Sequence, residues 1–389
     1  RFFETRTRAN VTQVSPTEVR VALRTETVHP TLSASVSATA SSKLALGDVT
    51  NLYADSYDSS DGPYSTSTAA DGARIQTNGK FQLVARGGRG DPDSITVRGD
   101  VVAPSFNPSN NSDVWEDNTN ISGELIESDI QSRLDPISGA ITRRIEQIRN
   151  LDLESNGAVI SGFEHDNGAV YTIDEDTYVN GTISVSNGST LRIENGATVH
   201  VDGGISVSGD GSGVDLRDAG DVDILVEGDF SMRDQSTLQT QGGDHKRMFV
   251  DGAIEVRNDA SIETTDDTRF ELYNTDDVTV SDTARIAAAD DVTKNLWLYS
   301  SGDNIYFEGD QTDGIDFAGV MYAPTSDVVL TNQMTFKGSF TSGSFDFNDA
   351  NLSLHYDEAL RNVQPFEGDS VPVVSHLHVS RHRVTIEDD

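Results

Sequence analysis

The sequence predicts an all-β protein built as a right-handed parallel β-helix, with an amphipathic helix near the middle of the chain and loop-rich N-terminal insertions. Three observations carry this expectation. A strand-initial motif recurs at Gly181-Thr182-Ile183-Ser184-Val185, Gly203-Gly204-Ile205-Ser206-Val207, Gly228-Asp229-Phe230-Ser231-Met232, Gly252-Ala253-Ile254-Glu255-Val256 and Asp277-Val278-Thr279-Val280. The intervals are 22, 25, 24 and 25 residues, room for a coil of three short strands and three turns. Within them lie further alternating runs, such as Thr190-Leu191-Arg192-Ile193 and Thr198-Val199-His200-Val201, separated by Asn187-Gly188, Asn195-Gly196 and Asp202-Gly203. Such turn residues accept left-handed backbone angles at low cost. One coil cannot bury its inward row alone, whereas stacked coils share a continuous core. A β-sandwich, the competing architecture, gives no reason for a strand-initial glycine at that interval.

Taken in chain order, residues 1–50 form an N-terminal β segment, with alternation in Glu18-Val19-Arg20-Val21-Ala22-Leu23 and Leu32-Ser33-Ala34-Ser35-Val36-Ser37-Ala38. Residues 51–122 are broken by Gly, Pro, Asp and Asn and read as irregular, loop-rich coils. Residues 123–153 read as a helical cap or linker. Ile137, Ile141, Ile145 and Ile148 repeat at three- and four-residue spacing behind Asp135-Pro136, and a shorter helix is expected over 124–134. The longer helix is expected to cover an edge or end of the stack. Residues 154–362 are the parallel β-helix, its later aromatics (Trp297, Tyr299, Tyr306, Phe307, Phe317, Tyr322, Phe336, Phe340, Phe345, Phe347) expected inside it or under a cap. Residues 363–389 form a C-terminal strand extension.

Charge sets the chemistry of the surface. The chain of 389 residues has 28 Lys plus Arg against 64 Asp plus Glu, a formal net charge of −36. That field repels nucleic acid and anionic membranes, so neither is an expected partner. Evenly spread carboxylates repel one another in dilute buffer, and a Debye length of about 3 Å at molar salt removes most of that penalty. The reading is adaptation to high salt. With no cysteine there are no disulfides. No run of 18 apolar residues spans a bilayer. The chain begins at Arg1, without an initiator methionine, and is expected to be a processed product whose signal or membrane anchor lies outside it.

Three motifs then occur in order: Ser56-Tyr57-Asp58-Ser59-Ser60-Asp61-Gly62-Pro63-Tyr64, Ile75-Gln76-Thr77-Asn78-Gly79, and Gly319-Val320-Met321-Tyr322-Ala323-Pro324 with Leu354-His355-Tyr356-Asp357-Glu358-Ala359-Leu360. Together they resemble the extracellular part of PilX-like, type IV pilin-associated surface proteins of bacteria and haloarchaea, over roughly residues 30–362. The resemblance implies a β-helical ectodomain, exported behind a pilin-type N-terminal helix that this chain lacks, and no catalytic activity. The coils also look somewhat like polymer-forming bactofilins, whose repeats are shorter and more uniform.

Candidate chemistry is sparse. Six Asn-x-Ser/Thr acceptors are present, at Asn10, Asn110, Asn120, Asn180, Asn187 and Asn351, which a glycoprotein would use. The loop bearing Tyr57, Asp58, Asp61 and Tyr64 either docks another surface protein or is pinned against the coils by its tyrosines. Carboxylates near coil turns (Asp221, Asp223, Asp244, Asp266, Asp267, Asp276, Asp277) are numerous enough to pair by chance at glycosidase spacing. His376, His378 and His382 share a strand face, and His355 sits beside Tyr356 and Asp357 as a hydrogen-bonded histidine of the terminal coil. No catalytic residue, organic cofactor or defined metal set is expected. The Asp-rich turns 58–61 and 210–221 and the pair Asp266-Asp267 offer hard oxygen ligands for calcium or other cations, without EF-hand spacing.

The expected function is a non-enzymatic extracellular structural or adhesive ectodomain, pilus-associated, in a halophile. Its partners are other cell-surface or pilus proteins or further copies of itself. A polysaccharide-active β-helix enzyme using surface carboxylates, and a self-assembling filament subunit, stand as alternatives.

Overall fold

The computed structural model describes residues 19–26, 32–40, 44–46, 49–83, 94–108, 119–128, 137–217, 220–243, 245–265, 267–363 and 373–381. They divide into two units. The smaller, residues 1–31 with 364–389, contains the antiparallel pair Val19–Glu26 and Val373–Arg381. The larger, Leu32–Val363, is a parallel β-solenoid.

Each coil of the solenoid turns through three faces, and every face is a parallel ladder. On face 1, Val170–Ile173 is followed upward by Thr190–Ile193, Gly213–Arg217, Thr237–Gln241, Ser261–Thr264, Arg285–Ala288 and residues 316–318. Face 2 begins with residues 158–161 and climbs through Thr198–Val201, Val222–Val226, His245–Val250, Arg269–Asn274 and Leu296–Ser300. Face 3 climbs from residues 163–165 through Ile205–Ser208, Phe230–Arg233, Ile254–Val256, Val278–Asp282 and Asn304–Gly309.

Alternation fills the core because register is exact from coil to coil. The inward columns of face 3, Ile183, Ile205, Phe230, Ile254, Val278 and Ile305 beside Val185, Val207, Met232, Val256, Val280 and Phe307, are almost wholly buried. Each such side chain contributes about 1.5–3 kcal/mol relative to exposure. The strand-initial glycines have a packing reason. A Cβ on Gly252 would lie 2.7 Å from the Gly228 carbonyl oxygen, and one on Gly203 would lie 2.8 Å from the Gly181 carbonyl carbon. Glycines therefore stack at this corner because the coils approach backbone to backbone. At the next corner Asn187, Asp234, Gln235, Asn258, Asp259 and Asp282 hold positive φ.

The solenoid does not begin at residue 154. Val36–Ala38 pairs in parallel with Phe340–Ser342, and Val49–Tyr57 pairs with residues 350–357. Ala73–Thr77, Gly99–Ala103 and Leu125–Glu127 then continue face 2, while Ser94–Val97 and Thr119–Ile121 continue face 1. Leu44–Ala45, Phe81–Leu83 and Phe106–Pro108 form a separate three-stranded ladder. The region expected to be irregular thus extends the same stack, its period hidden by long insertions between the strands. The shorter helix expected over 124–134 is corrected in part: Leu125–Glu127 is a strand, and residues 129–134 lie outside the described ones.

The N-terminal coils therefore sit on top of the C-terminal coil, and the chain must return to the other end to start again at Ala158. Thirty residues, 128–157, make that return. Over about a dozen coils at ~4.8 Å each, some 60 Å must be covered. A helix rising 1.5 Å per residue, joined to connecting chain that can reach up to ~3.3 Å per residue, can span that distance. Within it lies α1 (Ser138–Arg149), with Ile141, Ile145 and Ile148 buried. It packs on the flank of face 2 beside Thr198–Val201 and Val222–Val226, rather than over the edge or end of the stack that the sequence suggested.

The flank explains why α1 is there. Outward positions on face 2 form the ladder Tyr178, His200, Leu225, Phe249, Tyr273, Tyr299 and Tyr322. Phe249, Tyr273 and Tyr299 stack at 4.7 Å between successive centroids. An uncovered apolar flank of this kind is costly in water. Trp297, Tyr299 and Tyr322 lie on the outward side of face 2 and are nevertheless buried, outside the solenoid rather than in its interior. Phe307, Phe317, Phe336 and Phe340 do fill the interior, with Phe336 and Phe340 stacked at 4.2 Å. Arg149 at the end of α1 donates to Glu227 at 2.8 Å and to Asp251 at 2.6 Å. It holds the Glu227 carboxyl below the usual carboxylate range, helped by His200.

Candidate functional site

The densest polar cluster lies on face 1, where Val49–Tyr57 is laid on residues 350–357. Register puts Asp55 opposite His355 and Tyr57 opposite Asp357. Strand alternation turns these side chains outward, where carboxylates and imidazoles ordinarily meet water. Asp55 and Asp357 are nevertheless fully buried, and His355 nearly so. The cause is the 58–72 excursion, which folds back so that Ser56 and Ala70 exchange backbone hydrogen bonds of 3.1 and 2.7 Å.

Buried polar atoms need partners, and here sequence-remote segments supply them. His355 Nδ1 lies 2.6 Å from Asp55 Oδ1, and the Tyr64 hydroxyl donates to Asp55 Oδ2 at 3.0 Å. The Tyr64 ring stacks on the imidazole at 3.7 Å. The Asp357 carboxylate accepts from the Ser59 and Ala359 amides, both at 3.0 Å, and from Thr293 Oγ1 at 2.6 Å. Ser56 Oγ donates to Glu358 at 2.8 Å and accepts from the Gly72 amide. Tyr57 donates its hydroxyl to the Asp291 carbonyl at 2.8 Å, while the Asp291 carboxylate accepts from the Tyr64 amide and from Lys337.

These hydroxyls are kept as donors. Burial, then the charges of Asp357, Asp291 and Asp316, pushes the Tyr57 phenol far above its ordinary value. Burial and Asp55 do the same for Tyr64. An aspartate–histidine pair can handle protons in catalysis. In this cluster Tyr64 closes over the imidazole face and both Asp55 oxygens are engaged, so the arrangement clamps strands 300 residues apart.

The motifs that carry the family resemblance converge on this seam. Ser56, Ser59 and Tyr64 of the first meet His355, Asp357 and Glu358 of the last; Asn78 of the second donates to the Thr39 carbonyl, and Thr39 Oγ1 donates to the Pro324 carbonyl. Of the proposed docking loop, Tyr57 is buried, Tyr64 half-buried, Asp58 partly exposed with its carboxylate held by Ser60, and Asp61 exposed. The sequence singled out Tyr57, Tyr64 and His355 but gave no sign of Asp55 or Asp291. Asp55 could have been found only through the alternation that puts Tyr53, Asp55 and Tyr57 on one side of a strand, and Asp291 carries no such signal.

Other candidate residues are dispersed. Asn120, Asn180, Asn187 and Asn351 are exposed, and Asn10 and Asn110 lie outside the described residues. His376 and His378 fall in Val373–Arg381, and His382 lies outside the described residues. Among the described residues, no group of three or more His, Asp and Glu side chains is placed to hold a metal ion. No described helix is long and apolar enough to cross a membrane.

Fold and seam together define a β-solenoid scaffold. A family model described as a domain of unknown function (DUF7305) matches residues 237–363, the upper coils and the C-terminal half of the seam. No curated protein and no solved structure matches the chain.

Proposed function

We propose that this chain is the extracellular, non-catalytic ectodomain of a pilus-associated structural or adhesive protein from an organism of high-salt habitats. The observation that carries the reading is the solenoid itself. Its most elaborate polar cluster is spent on joining coils, and its ladders make a stiff support for surface loops and exposed sequons. The net charge of −36 supports the habitat, because molar salt screens what dilute buffer leaves repulsive. Likeness to PilX-like proteins in the motifs of the seam supports the pilus connection. Partners on this reading are neighbouring surface or pilus proteins, reached through the loops.

Immunogold electron microscopy on native cells kept in molar salt, with antibody against residues 170–360, tests the proposal. Label along or at the tips of surface filaments is the expected result. Label confined to the cytoplasm overturns it.

A further inference from the structure

We infer that Asn195 is a site of self-modification, at which the Gly196 backbone nitrogen attacks the Asn195 side-chain amide and turns the asparagine into aspartate and isoaspartate. The chemistry is open to any Asn-Gly pair. The glycine nitrogen gives up its proton and bonds to the asparagine Cγ, ammonia leaves, and water opens the resulting succinimide at either carbonyl. Glycine allows the approach because it has no side chain and a permissive backbone. Six such pairs occur, at Asn78, Asn156, Asn167, Asn180, Asn187 and Asn195. What separates them is whether the glycine N–H is already donating.

Elsewhere the pair is tied down. Gly79 N–H donates to Thr77 Oγ1 at 3.0 Å beside a buried Asn78. Gly157 N–H donates to the Leu153 carbonyl at 2.9 Å, and Asn156 Nδ2 donates to the Leu151 and Asp152 carbonyls, both at 3.1 Å. Gly168 N–H donates to Ser189 Oγ at 3.1 Å and Gly188 N–H to Ser212 Oγ at 2.9 Å. Asn180-Gly181 lies inside the strand Thr177–Ser186 rather than in a turn. The Gly196 N–H meets no acceptor among the described residues.

The coil supplies its own control, because Asn187-Gly188 and Asn195-Gly196 are the same turn built twice. Both asparagines are exposed, with φ of 52° and 58°, and both glycines have positive φ, 77° and 68°. The following residue closes each turn, Ser189 N–H on the Ser186 carbonyl at 3.1 Å and Ala197 N–H on the Glu194 carbonyl at 3.2 Å. The difference lies one coil up. Ser212 stands over Gly188 and offers its hydroxyl, whereas Gly220 stands over Gly196, where even an added Cβ would lie 3.6 Å from the Gly196 nitrogen. The Asn195 side chain is held only by a 3.5 Å contact from Nδ2 to the Asp174 carbonyl, which leaves its Cγ open to attack. The product adds a carboxylate at the corner already carrying Asp174, Glu175 and Asp176, a repulsion that molar salt screens.

Peptide mapping by mass spectrometry on the purified full chain, kept folded in molar salt at mildly alkaline pH, tests the inference. Aspartate and isoaspartate are expected to accumulate first at residue 195, about fivefold faster than at 187, the factor that one hydrogen bond supplies. Ser212→Ala removes the acceptor above Gly188 and is expected to raise 187 to the rate of 195 while leaving 195 unchanged. The same chain unfolded in denaturant is expected to lose the ranking, since all six pairs then share one environment. A folded chain in which 195 reacts no faster than 187, or a ranking that persists after unfolding, overturns the inference. If Ser212→Ala does not fold, the wild-type comparison of 187 with 195 still decides it. Neither result depends on where the chain resides, so this inference and the proposed function stand or fall separately.

Discussion

Replacing Asp55 by alanine removes the shared acceptor of His355 Nδ1 and the Tyr64 hydroxyl at a site with no solvent exposure. Removing a shared buried acceptor leaves its partners unsatisfied and costs about 1–3 kcal/mol for each. His355→Ala strips the same contact from the opposite side, leaving Asp55 with Tyr64 alone. If the two act as one clamp, the double variant costs less than the sum of the singles, with a coupling of about 1–3 kcal/mol. Tyr64→Phe, which loses one hydrogen bond, costs about 1 kcal/mol. Hydrogen exchange is the suitable assay, since solenoid coils open locally and a single unfolding midpoint averages over them. Protection is expected to fall together in Val49–Tyr57 and residues 350–357 while Thr198–Val201 keeps its own. A coupling below about 0.5 kcal/mol, the usual limit for independent sites, refutes the clamp.

Four further outcomes follow from the same structure. Burial pushes the Tyr356 phenol up to about 12 from 10.0, and its hydroxyl donates to the Leu32 carbonyl. The unfolded chain therefore ionises first, so stability is full below pH 10, declines through the window to pH 12 and is followed by circular dichroism with tyrosinate absorbance; full stability throughout that window contradicts the burial of Tyr356. Glu227 is held below its usual 4.5 by Arg149, so its contribution is present above that pH and lost as pH falls; Arg149→Ala, at a half-exposed pair, is expected to cost about 1 kcal/mol and flatten the acid limb of the melting curve. Gly252→Ala drives a Cβ to 2.7 Å from a backbone oxygen and is expected to cost about 1–3 kcal/mol in thermal melts. Gly168→Ala, where the added Cβ has open space but φ is +75°, costs only the local backbone strain of about 1 kcal/mol.

The sequence showed the solenoid most clearly where coils are shortest. Gly181, Gly203, Gly228 and Gly252 recur because stacked backbones leave no room for a Cβ, so a packing constraint is written as a spacing. The same constraint acts in the N-terminal coils, where a Cβ on Gly99 would lie 1.8 Å from the Ala73 carbonyl oxygen. It was invisible there because the stretches between strands, such as 58–72 and 84–93, change the period. Which way Trp297, Tyr299 and Tyr322 are buried was also hidden. Alternation separates the two sides of a strand but does not say that the outward one is also covered. The candidate site was half legible. Tyr57, Tyr64 and His355 with its neighbour Asp357 stood out, whereas Asp55 and Asp291 are two aspartates in a chain full of them, and only contacts between remote segments give them a role.

That pairing is the centre of the account, and the chain's lack of cysteine makes it directly measurable. Asn51 and Asn351 are register partners on the outer side of the seam, both reachable by solvent. Neighbouring strands lie about 4.8 Å apart, within the Cα separations a disulfide spans. Asn51→Cys with Asn351→Cys is expected to oxidise within one molecule, closing a loop visible as faster migration on a non-reducing gel and as loss of both free thiols by mass spectrometry. Two thiols that stay free under oxidising conditions in a folded chain would contradict the stacking of the N-terminal coils on the C-terminal coil.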